Sequence, residues 1–388
     1  GDHPDLHSFP TRRSSDLYRQ VNPEYGSMQD FKQLCDTAHS LGLQVMIDVV
    51  YNHTSHDSVL VQEHPDWYHQ DANGKPVTTV PEWSDVIDLA YDRDPALWDY
   101  QIESLKMWAK LGVDGFRCDV ASIVPLDFWL RVRAEVVKVK PGVIWLAESV
   151  HASFILHRRE HGLTAFSDSE IHQAFDLSYD YDIWEAWKRV VQDPTFLPIY
   201  IDILRLQKAL YPAHIIKMRC VENHDQPRIM KFIPTRNQAL AWTAFQAFNE
   251  GAFLIYAGQE AENTHTPSLF DIDQVDWGNY SLQLFLTKLC QVKKRAEIEK
   301  GSFHILTATP AINAIWQTEL AGLFGVFNVA RAEGSIPAPL ADGEYTDLIS
   351  GQDVSISHGK IQLPETAVIL SYNGEIDRDK HAQPSVIL

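Results

Sequence analysis

The feature of this sequence that most constrains its fold is an alternation that starts at Tyr18: short apolar runs rich in β-branched residues are separated by longer amphipathic stretches. Short apolar runs of this kind are typical of buried strands, and strands that alternate with helices form βαβ units around a parallel sheet. The pattern therefore predicts an α/β fold. Six runs are strand candidates: Leu43 to Val50, Gly112 to Val120, Gly142 to Glu148, Ala174 to Asp180, Ile215 to Glu222 and Ala252 to Gly258.

Longer stretches between these runs have the spacing of helices. The segment from Thr54 to Asp94 is too long for an ordinary connection, and its Trp, Pro, Asp and Gly content predicts a small folded excursion after the first strand candidate. The helix candidates are Met28 to Leu41, Pro95 to Leu111, Pro125 to Val139, Phe196 to Leu210, Arg236 to Phe248 and Ser281 to Glu299.

The pattern changes after about Gly301. Short alternating runs such as "HILTA", "LFGVFNVA", "DVSIS" and "AVILSY" are separated there by Gly, Pro and Asp turns. Such runs predict an antiparallel β-sandwich over residues 301–376, followed by a polar tail at 377–388. The barrel-like part is then expected to occupy residues 18–300, with 54–94 as its inserted small domain.

The charge balance limits the partners. Asp and Glu number 52 against 33 Lys and Arg, which gives a formal charge of −19. Such a chain repels phosphate backbones and anionic lipid, so we expect no nucleic acid and no membrane as partners, whereas a neutral substrate is not penalised. The cysteines lack the CxxC spacing of metal and redox sites and are expected to be free thiols, typical of a reducing compartment: Cys35, Cys118, Cys220 and Cys290.

Polar residues follow four of the strand candidates at their carboxyl ends, where barrel enzymes place catalytic groups. A single case is easily accidental, but four strands that each carry such residues indicate a site. The residues are Asn52 and His53 in "DVVYNH", Arg117 and Asp119 in "GFRCDV", Glu148 in "LAES", and His224 and Asp225 in "VENHD".

The spacing of these residues has chemical consequences. Arg117 and Asp119 are two apart on a strand and share a face, while Cys118 points toward the helices. A guanidinium beside Asp119 would keep that carboxylate ionised, which suits a nucleophile. Glu148 follows three apolar residues that are expected to raise its pKa, which suits a proton donor.

Each residue also has a structural interpretation when it is taken alone. Asp48 could be a buried acid paired with an Arg, His53 and His224 could be satisfied structural histidines, and Glu148 could cap the following helix. The set as a whole favours function, because several acids at one barrel mouth are costly without one.

The four segments, in this order, resemble the four signature regions of the α-amylase family of glycoside hydrolases. Supporting stretches also fit the family, and the resemblance covers about Tyr18 to Asn373. It implies a (β/α)8 TIM barrel followed by the antiparallel sandwich. The supporting stretches are "VNPEYGSMQDFKQLCDTAHSLG", "AGQE" and "LADGEYTDLISGQDVSI".

The resemblance also implies roles for the residues. Asp119 would be the nucleophile, Glu148 the general acid/base and Asp225 the third carboxylate of a double displacement with retention on an α-glucan. No cofactor is required, and Asn52 matches a calcium ligand of the family, which leaves calcium open as a ligand. The residues expected to line the sugar pocket or support it are Asp48, His53, Arg117 and His224.

The expected activity is cleavage of α-1,4 links of starch, glycogen or maltooligosaccharides. Alternatives within the family are an α-glucosidase, a neopullulanase and a glucanotransferase, and a distant one is a non-catalytic binding or partner subunit. All three acids are present, which argues against the last. Classical secreted α-amylases carry a Lys-His pair where this chain has Ser122 and Ile123, so the leaving-group side of the groove is expected to differ.

The first residues do not belong to this pattern. The six strand candidates match the third to eighth strands of the family barrel, so we expect the first two strands to be absent from this chain. Reverse translation of Gly1 to Leu17 resembles a sequencing-library adapter and departs from it only at Pro4. We therefore expect residues 1–17 to be an assembly artefact, and an incomplete barrel to expose apolar strand edges and to be inactive or insoluble.

Overall fold

A computed structural model describes residues 18–268 and 272–386 of the chain. The predicted adapter-derived stretch at 1–17 lies outside the described residues. The contacts between residues divide the chain into two compact units. The described part of the first comprises residues 18–182 and 211–216, and that of the second comprises residues 183–210, 217–268 and 272–386.

A parallel sheet organises the first unit. Its order is β1-β4-β5-β6, and the register places Asp48 opposite Arg117 and Arg117 opposite Leu146. Two short antiparallel strands, β2 and β3, lie outside this sheet. The strands are β1 (Met46–Val49), β2 (His53–Ser55), β3 (Val86–Asp88), β4 (Gly115–Cys118), β5 (Ile144–Ala147) and β6 (Leu177–Tyr179).

Helices connect these strands, and clear local signals set their ends. For the third helix, the Asp94 side chain accepts a hydrogen bond from the Ala96 N–H, a proline follows at the first helical position, and Gly112 ends the helix at φ 133°. The helices are α1 (Met28–Ser40), α2 (Val59–Glu63), α3 (Pro95–Leu111), α4 (Leu126–Val136), α5 (Ala152–Glu160) and α6 (Asp168–Ile171).

The core of the first unit lies between the sheet and its helices. Phe116, Cys118 and Trp145 of the strands pack in one buried cluster with Phe128 and Trp129 of α4. The prediction that Cys118 faces the helices is thus confirmed. The opposite face of the same strand is left for Arg117, as the alternation of side chains along a strand requires.

The long segment after β1 is folded, as the sequence predicts. His53 of β2 pairs with Asp88 of β3, and Leu60, Trp67 and Tyr68 pack in a small buried cluster that also includes Leu97 of α3. The strand pairing brings both ends of the excursion together, so His53 is held at the base of this small structure.

Two further parallel strands belong mainly to the second unit. They pair through Met218 with Ala252 and Arg219 with Phe253. All six predicted strands are therefore present, each shorter than its apolar run. The elements are α7 (Tyr181–Gln192), α8 (Leu197–Leu210), β7 (Ile216–Arg219), α9 (Ile229–Phe232), α10 (Arg236–Phe248), β8 (Ala252–Phe253), α11 (Gln283–Lys293) and α12 (Ala296–Lys300).

The carboxyl-terminal strands of the second unit form two four-stranded antiparallel sheets, β16-β11-β10-β9 and β12-β15-β14-β13. Side chains of both sheets share one buried cluster, so the predicted sandwich is confirmed. The strands are β9 (Ser302–Thr307), β10 (Ile312–Gln317), β11 (Ala321–Phe327), β12 (Ser335–Pro337), β13 (Gly343–Thr346), β14 (Asp353–Ser357), β15 (Lys360–Gln362) and β16 (Ala367–Asn373).

Candidate active site

Arg117 is the centre of the polar group in the first unit. Its Nη1 donates hydrogen bonds to Asp48 Oδ1 at 2.8 Å and to Asp119 Oδ1 at 2.7 Å, and its Nη2 lies 3.1 Å from Glu148 Oε2. These side chains come from three neighbouring strands, because β1 and β5 flank β4 in the sheet. The guanidinium of Arg117 thus contacts three other residues that the sequence singles out.

Burial strengthens the charge interactions between Arg117 and the carboxylates around it. Asp119 and Glu148 have no exposed surface, whereas the Asp48 side chain is 39% exposed. Burial alone would lower the pKa of Arg117, but Glu148, Asp119 and Asp48 together raise it well above its usual range. Arg117 is therefore a permanent cation, and its contact stabilises the negative charge of Asp119, as the spacing of the two residues predicts.

A strained residue links the two buried acids. Val120, which follows Asp119, adopts a left-handed backbone conformation with φ 35° and ψ 42°, and its N–H donates to Glu148 Oε2 at 2.8 Å. This conformation costs a β-branched residue on the order of 1–3 kcal/mol. The Val120 side chain is fully buried beside Trp83 and Val150, and this packing holds the strained backbone in place.

The surroundings of Glu148 include polar partners that its neighbours in sequence do not indicate. Its Oε2 accepts from the Val120 N–H and lies beside Arg117. The alternation along β5 explains this, since Trp145 and Ala147 belong to the core on the helix side of the sheet. Trp145 and Ala147 therefore face away from Glu148, whereas Leu146 shares its side of the strand.

Tyr179 is a site residue that the sequence reasoning missed. Its ring centroid lies 5.5 Å from the guanidinium carbon of Arg117, within the range of a cation–π contact. Burial raises the pKa of Tyr179, so the phenol is neutral at physiological pH. The signal in the sequence is its place at the end of β6, where an aromatic side chain can contact a site as a charged one does.

His53 lies apart from the contacts of Arg117. Its Nδ1 is 3.2 Å from the Asn52 Nδ2, and its ring packs edge-on against Trp83 with centroids 5.8 Å apart. The side chain is buried at the start of β2. The structure thus places His53 in the first unit, beside Asn52 and at the base of the excursion.

Asn52, which the resemblance offers as a calcium ligand, lies beside another polar residue of the first unit. Its Nδ2 is 3.5 Å from Asp88 Oδ1, and Thr79 donates to Asp88 through both its N–H and its hydroxyl. Within residues 18–268 and 272–386, no group of three or more His, Cys, Asp or Glu side chains lies together as a candidate metal site. Asn52 thus has a side-chain partner in Asp88.

Ser122 and Ile123 are buried in the first unit. The Ser122 carbonyl accepts from the Phe166 N–H at 2.7 Å, and Ile123 packs in the cluster that includes Val120. Neither residue supplies a positive charge, as expected from the sequence for this side of the groove.

The second unit holds the other two predicted residues. His224 Nε2 lies 3.2 Å from Asp225 Oδ2 in the loop after β7, and the Asp225 side chain is 2% exposed. Asn223 Oδ1 accepts from the Asp225 N–H at 2.9 Å, which gives the loop a tight turn at the acid. A buried carboxylate beside an imidazole therefore follows this strand, as the motif "VENHD" predicts.

Known proteins resemble the chain along most of its length. Residues 14–300 match the family described as the alpha amylase catalytic domain, and residues 304–370 match the bacterial alpha amylase C-terminal domain. An alpha-amylase from Lactobacillus plantarum is 38% identical, with a TM-score of 0.86 over 92% of this chain and 84% of that chain. A maltogenic alpha-amylase from Thermotoga neapolitana is 30% identical, with a TM-score of 0.79 over 96% and 89%.

Among curated proteins, an alpha-1,4-glucan:maltose-1-phosphate maltosyltransferase of Bifidobacterium animalis subsp. lactis is 32% identical over 318 residues, which are 76% of this chain and 39% of that protein. The chain therefore spans about two fifths of the length of this relative. No helix of the described part of the chain is long and apolar enough to cross a membrane. With its catalytic and carboxyl-terminal domains both matched, the chain belongs to the α-amylase family.

Proposed function

We propose that this α-amylase-family protein is a retaining glycosidase that cleaves α-1,4-glucosidic bonds of starch, glycogen or maltooligosaccharides. The observation that carries the proposal is the contact of one guanidinium, that of Arg117, with the two buried carboxylates of Asp119 and Glu148. A retaining enzyme needs two carboxyl groups about 5–5.5 Å apart, and we expect that separation between Asp119 and Glu148.

The two carboxylates have different roles in this proposal. Asp119, held by Arg117, attacks the anomeric carbon and forms a glycosyl ester, while protonated Glu148 gives its proton to the departing glycosidic oxygen. Glu148 then takes a proton from water, and that water oxygen replaces Asp119 at the anomeric carbon. The N–H of Val120 fixes one oxygen of Glu148 and supports this orientation.

Asp225 and His224 have proposed roles of their own. In this assignment Asp225 is the third carboxylate, which orients sugar hydroxyls and stabilises positive charge at the anomeric carbon in the transition state. Its burial beside His224 supports the assignment, because a carboxylate withdrawn from water interacts strongly with a bound sugar. Asp48 would support Arg117, and His53 would line the sugar pocket.

The net charge of the chain and its similarity to known proteins support an α-glucan as the substrate class. An α-glucan is neutral, so a chain with a formal charge of −19 does not repel it. The maltogenic amylase and the maltosyltransferase that resemble the chain have names that refer to α-glucan chemistry. Identity of 32% to the maltosyltransferase favours glucanotransfer as the second candidate, since a sugar hydroxyl can replace water in the second step.

Proton NMR of the first products tests the proposal. The purified protein is incubated with maltoheptaose, and the anomeric signals are recorded before mutarotation. We expect α-anomeric products first, because two inversions restore the configuration, whereas β-anomeric products would contradict the assignment. Longer oligosaccharides without a rise in reducing ends would identify transfer, and amylose, pullulan and maltose would then define the bond preference.

A further inference from the structure

A buried ion pair closes the loop that follows β7. Glu222 stands at the start of this loop and Arg228 at its end, with His224 and Asp225 between them. We propose that Glu222 and Arg228 are positioning residues that hold Asp225 for its role in the reaction. The inference rests on the proposed function, because it takes Asp225 as a group that acts on the substrate.

Both oxygens of Glu222 bind the far end of the loop. Oε1 accepts from Arg228 Nη1 at 2.8 Å, and Oε2 accepts from the Ile229 N–H at 2.7 Å. Glu222 is 1% exposed and Arg228 is fully buried. Because these bonds join residue 222 to residues 228 and 229, they fix the span of the segment that carries Asp225.

Arg228 is itself held by the segment that follows β8. Its Nε donates to the His265 carbonyl at 3.0 Å, and its guanidinium carbon lies 4.1 Å from the ring centroid of Tyr256. Gly258 leaves room for it, since a Cβ there would lie 3.1 Å from Arg228 Nη2 at a backbone φ of +96°. The loops after β7 and β8 are therefore joined through one side chain.

The buried Glu222–Arg228 ion pair is not explained by stability alone, because its desolvation penalty offsets its electrostatic gain. Arg228 Nη2 is buried and has no hydrogen-bond partner among the described residues. A buried ion pair often contributes no more than apolar residues of similar volume, so its value lies in a fixed geometry. The geometry here is specific, because the planar guanidinium binds a carboxylate and a carbonyl at once while it stacks on a ring.

Glu222 and Asp225, the two acids in "VENHD", have different roles. Burial raises the pKa of Glu222, and the Ile229 N–H and Arg228 oppose that shift. Each Glu222 oxygen accepts a bond from the protein, which withdraws this carboxylate from substrate chemistry. Asp225 is thus the acid that acts on the substrate, and Glu222 holds the two ends of the loop that carries Asp225.

Other contacts hold the loop in the fold independently of the Glu222–Arg228 pair. Asn223 Oδ1 accepts from the Asp225 N–H at 2.9 Å, and Gln226 Oε1 accepts from Trp184 Nε1 at 2.8 Å. These bonds involve neither Arg228 nor Glu222. The expected effect of a change at Arg228 is therefore a misplaced Asp225 in a folded protein.

The test compares Arg228→Lys with a matched control, Arg205→Lys. Arg205 also joins a carboxylate, Asp202 Oδ1 at 2.9 Å, to a carbonyl, that of Ile305 at 3.0 Å, but it lies on α8. With maltoheptaose as substrate, we expect Arg228→Lys to lower kcat at least tenfold with KM within threefold, and Arg205→Lys to leave kcat within twofold. A kcat within threefold of the parent for Arg228→Lys would overturn the inference.

A double variant separates position from stability. Glu222→Met with Arg228→Met replaces the ion pair by apolar side chains, which often leaves stability unchanged or improved. We expect a Tm near that of the parent with kcat still at least tenfold lower. A stable double variant with parental kcat would overturn the inference, and if the double variant does not fold, Arg228→Lys alone decides.

Asp225→Asn distinguishes this inference from the proposed function. Loss of activity in Asp225→Asn with normal activity in Arg228→Lys refutes only the positioning role. Parental activity in Asp225→Asn refutes the role proposed for Asp225 and the inference with it.

Discussion

Arg117 shows how much a single residue can determine in this site. Its spacing from Asp119 predicts their contact, and the structure confirms it at 2.7 Å. The spacing does not predict that Val120 bonds to Glu148, because a β-branched residue gives no sign of a left-handed backbone. Tyr179 was missed for a related reason, since its contact depends on how β6 lies relative to Arg117 rather than on any motif.

Asp119→Asn tests the residue that we propose as nucleophile. The amide keeps the shape and a hydrogen bond acceptor for Arg117 but cannot form the glycosyl ester, so we expect kcat to fall by about a thousandfold or more. Steady-state kinetics on maltoheptaose measure the loss, and thermal unfolding shows whether the fold is kept. Activity within tenfold of the parent would refute the nucleophile assignment.

Among the helices and strands, those with strong end signals were predicted best. α3 begins at Pro95 after the Asp94 cap and ends before Gly112, and its predicted bounds are those observed. The single helix predicted over Ser281 to Glu299 is instead two, α11 and α12, because the backbone is extended at Arg295 without a Gly or Pro to mark the break. The helices α2, α5, α6, α7 and α9 are not among the predicted ones, and α7 starts only two residues after β6, so its pattern merges with that strand.

Asp114 ties several elements together at the start of β4. It accepts hydrogen bonds from Lys140 Nζ at 2.7 Å and from the Val45 N–H at 2.8 Å, and it lies 2.7 Å from His39 Nε2. Burial alone would raise the pKa of Asp114, but these contacts outweigh it and lower the pKa from 3.8 to about 2. A shift of this size corresponds to about 2 kcal/mol of stabilisation at neutral pH.

Asp114→Asn is therefore expected to lower the free energy of unfolding by about 2 kcal/mol at pH 7. Because the folded pKa of about 2 lies below the unfolded value of 3.8, the contribution is complete above about pH 4 and is lost as the pH falls toward 2. Urea unfolding of both proteins at several pH values measures this. A difference that stays constant down to pH 3 would contradict the role of Asp114.

At the scale of the whole molecule, the net charge predicts how salt changes activity on anionic and on neutral substrates. A formal charge of −19 repels an anionic polymer at low salt, because the screening length is about 30 Å at 0.01 M. At 0.15 M the screening length is shorter, so the repulsion is much weaker. We expect added salt to raise kcat/KM several-fold on carboxymethylated amylose and to leave the value for neutral maltoheptaose nearly unchanged. Equal salt dependence for both substrates would show that net charge does not govern substrate access.

The most direct test of the central claim is to trap the glycosyl-enzyme intermediate. The protein is incubated with a fluorinated α-glucosyl fluoride that forms the ester quickly and releases it slowly, then digested and analysed by mass spectrometry. If Asp119 is the nucleophile of a retaining glycosidase, the peptide that contains Asp119 carries one sugar residue, and Asp119→Asn carries none. A label on another carboxylate, or no label on a protein that hydrolyses maltoheptaose, would contradict the claim.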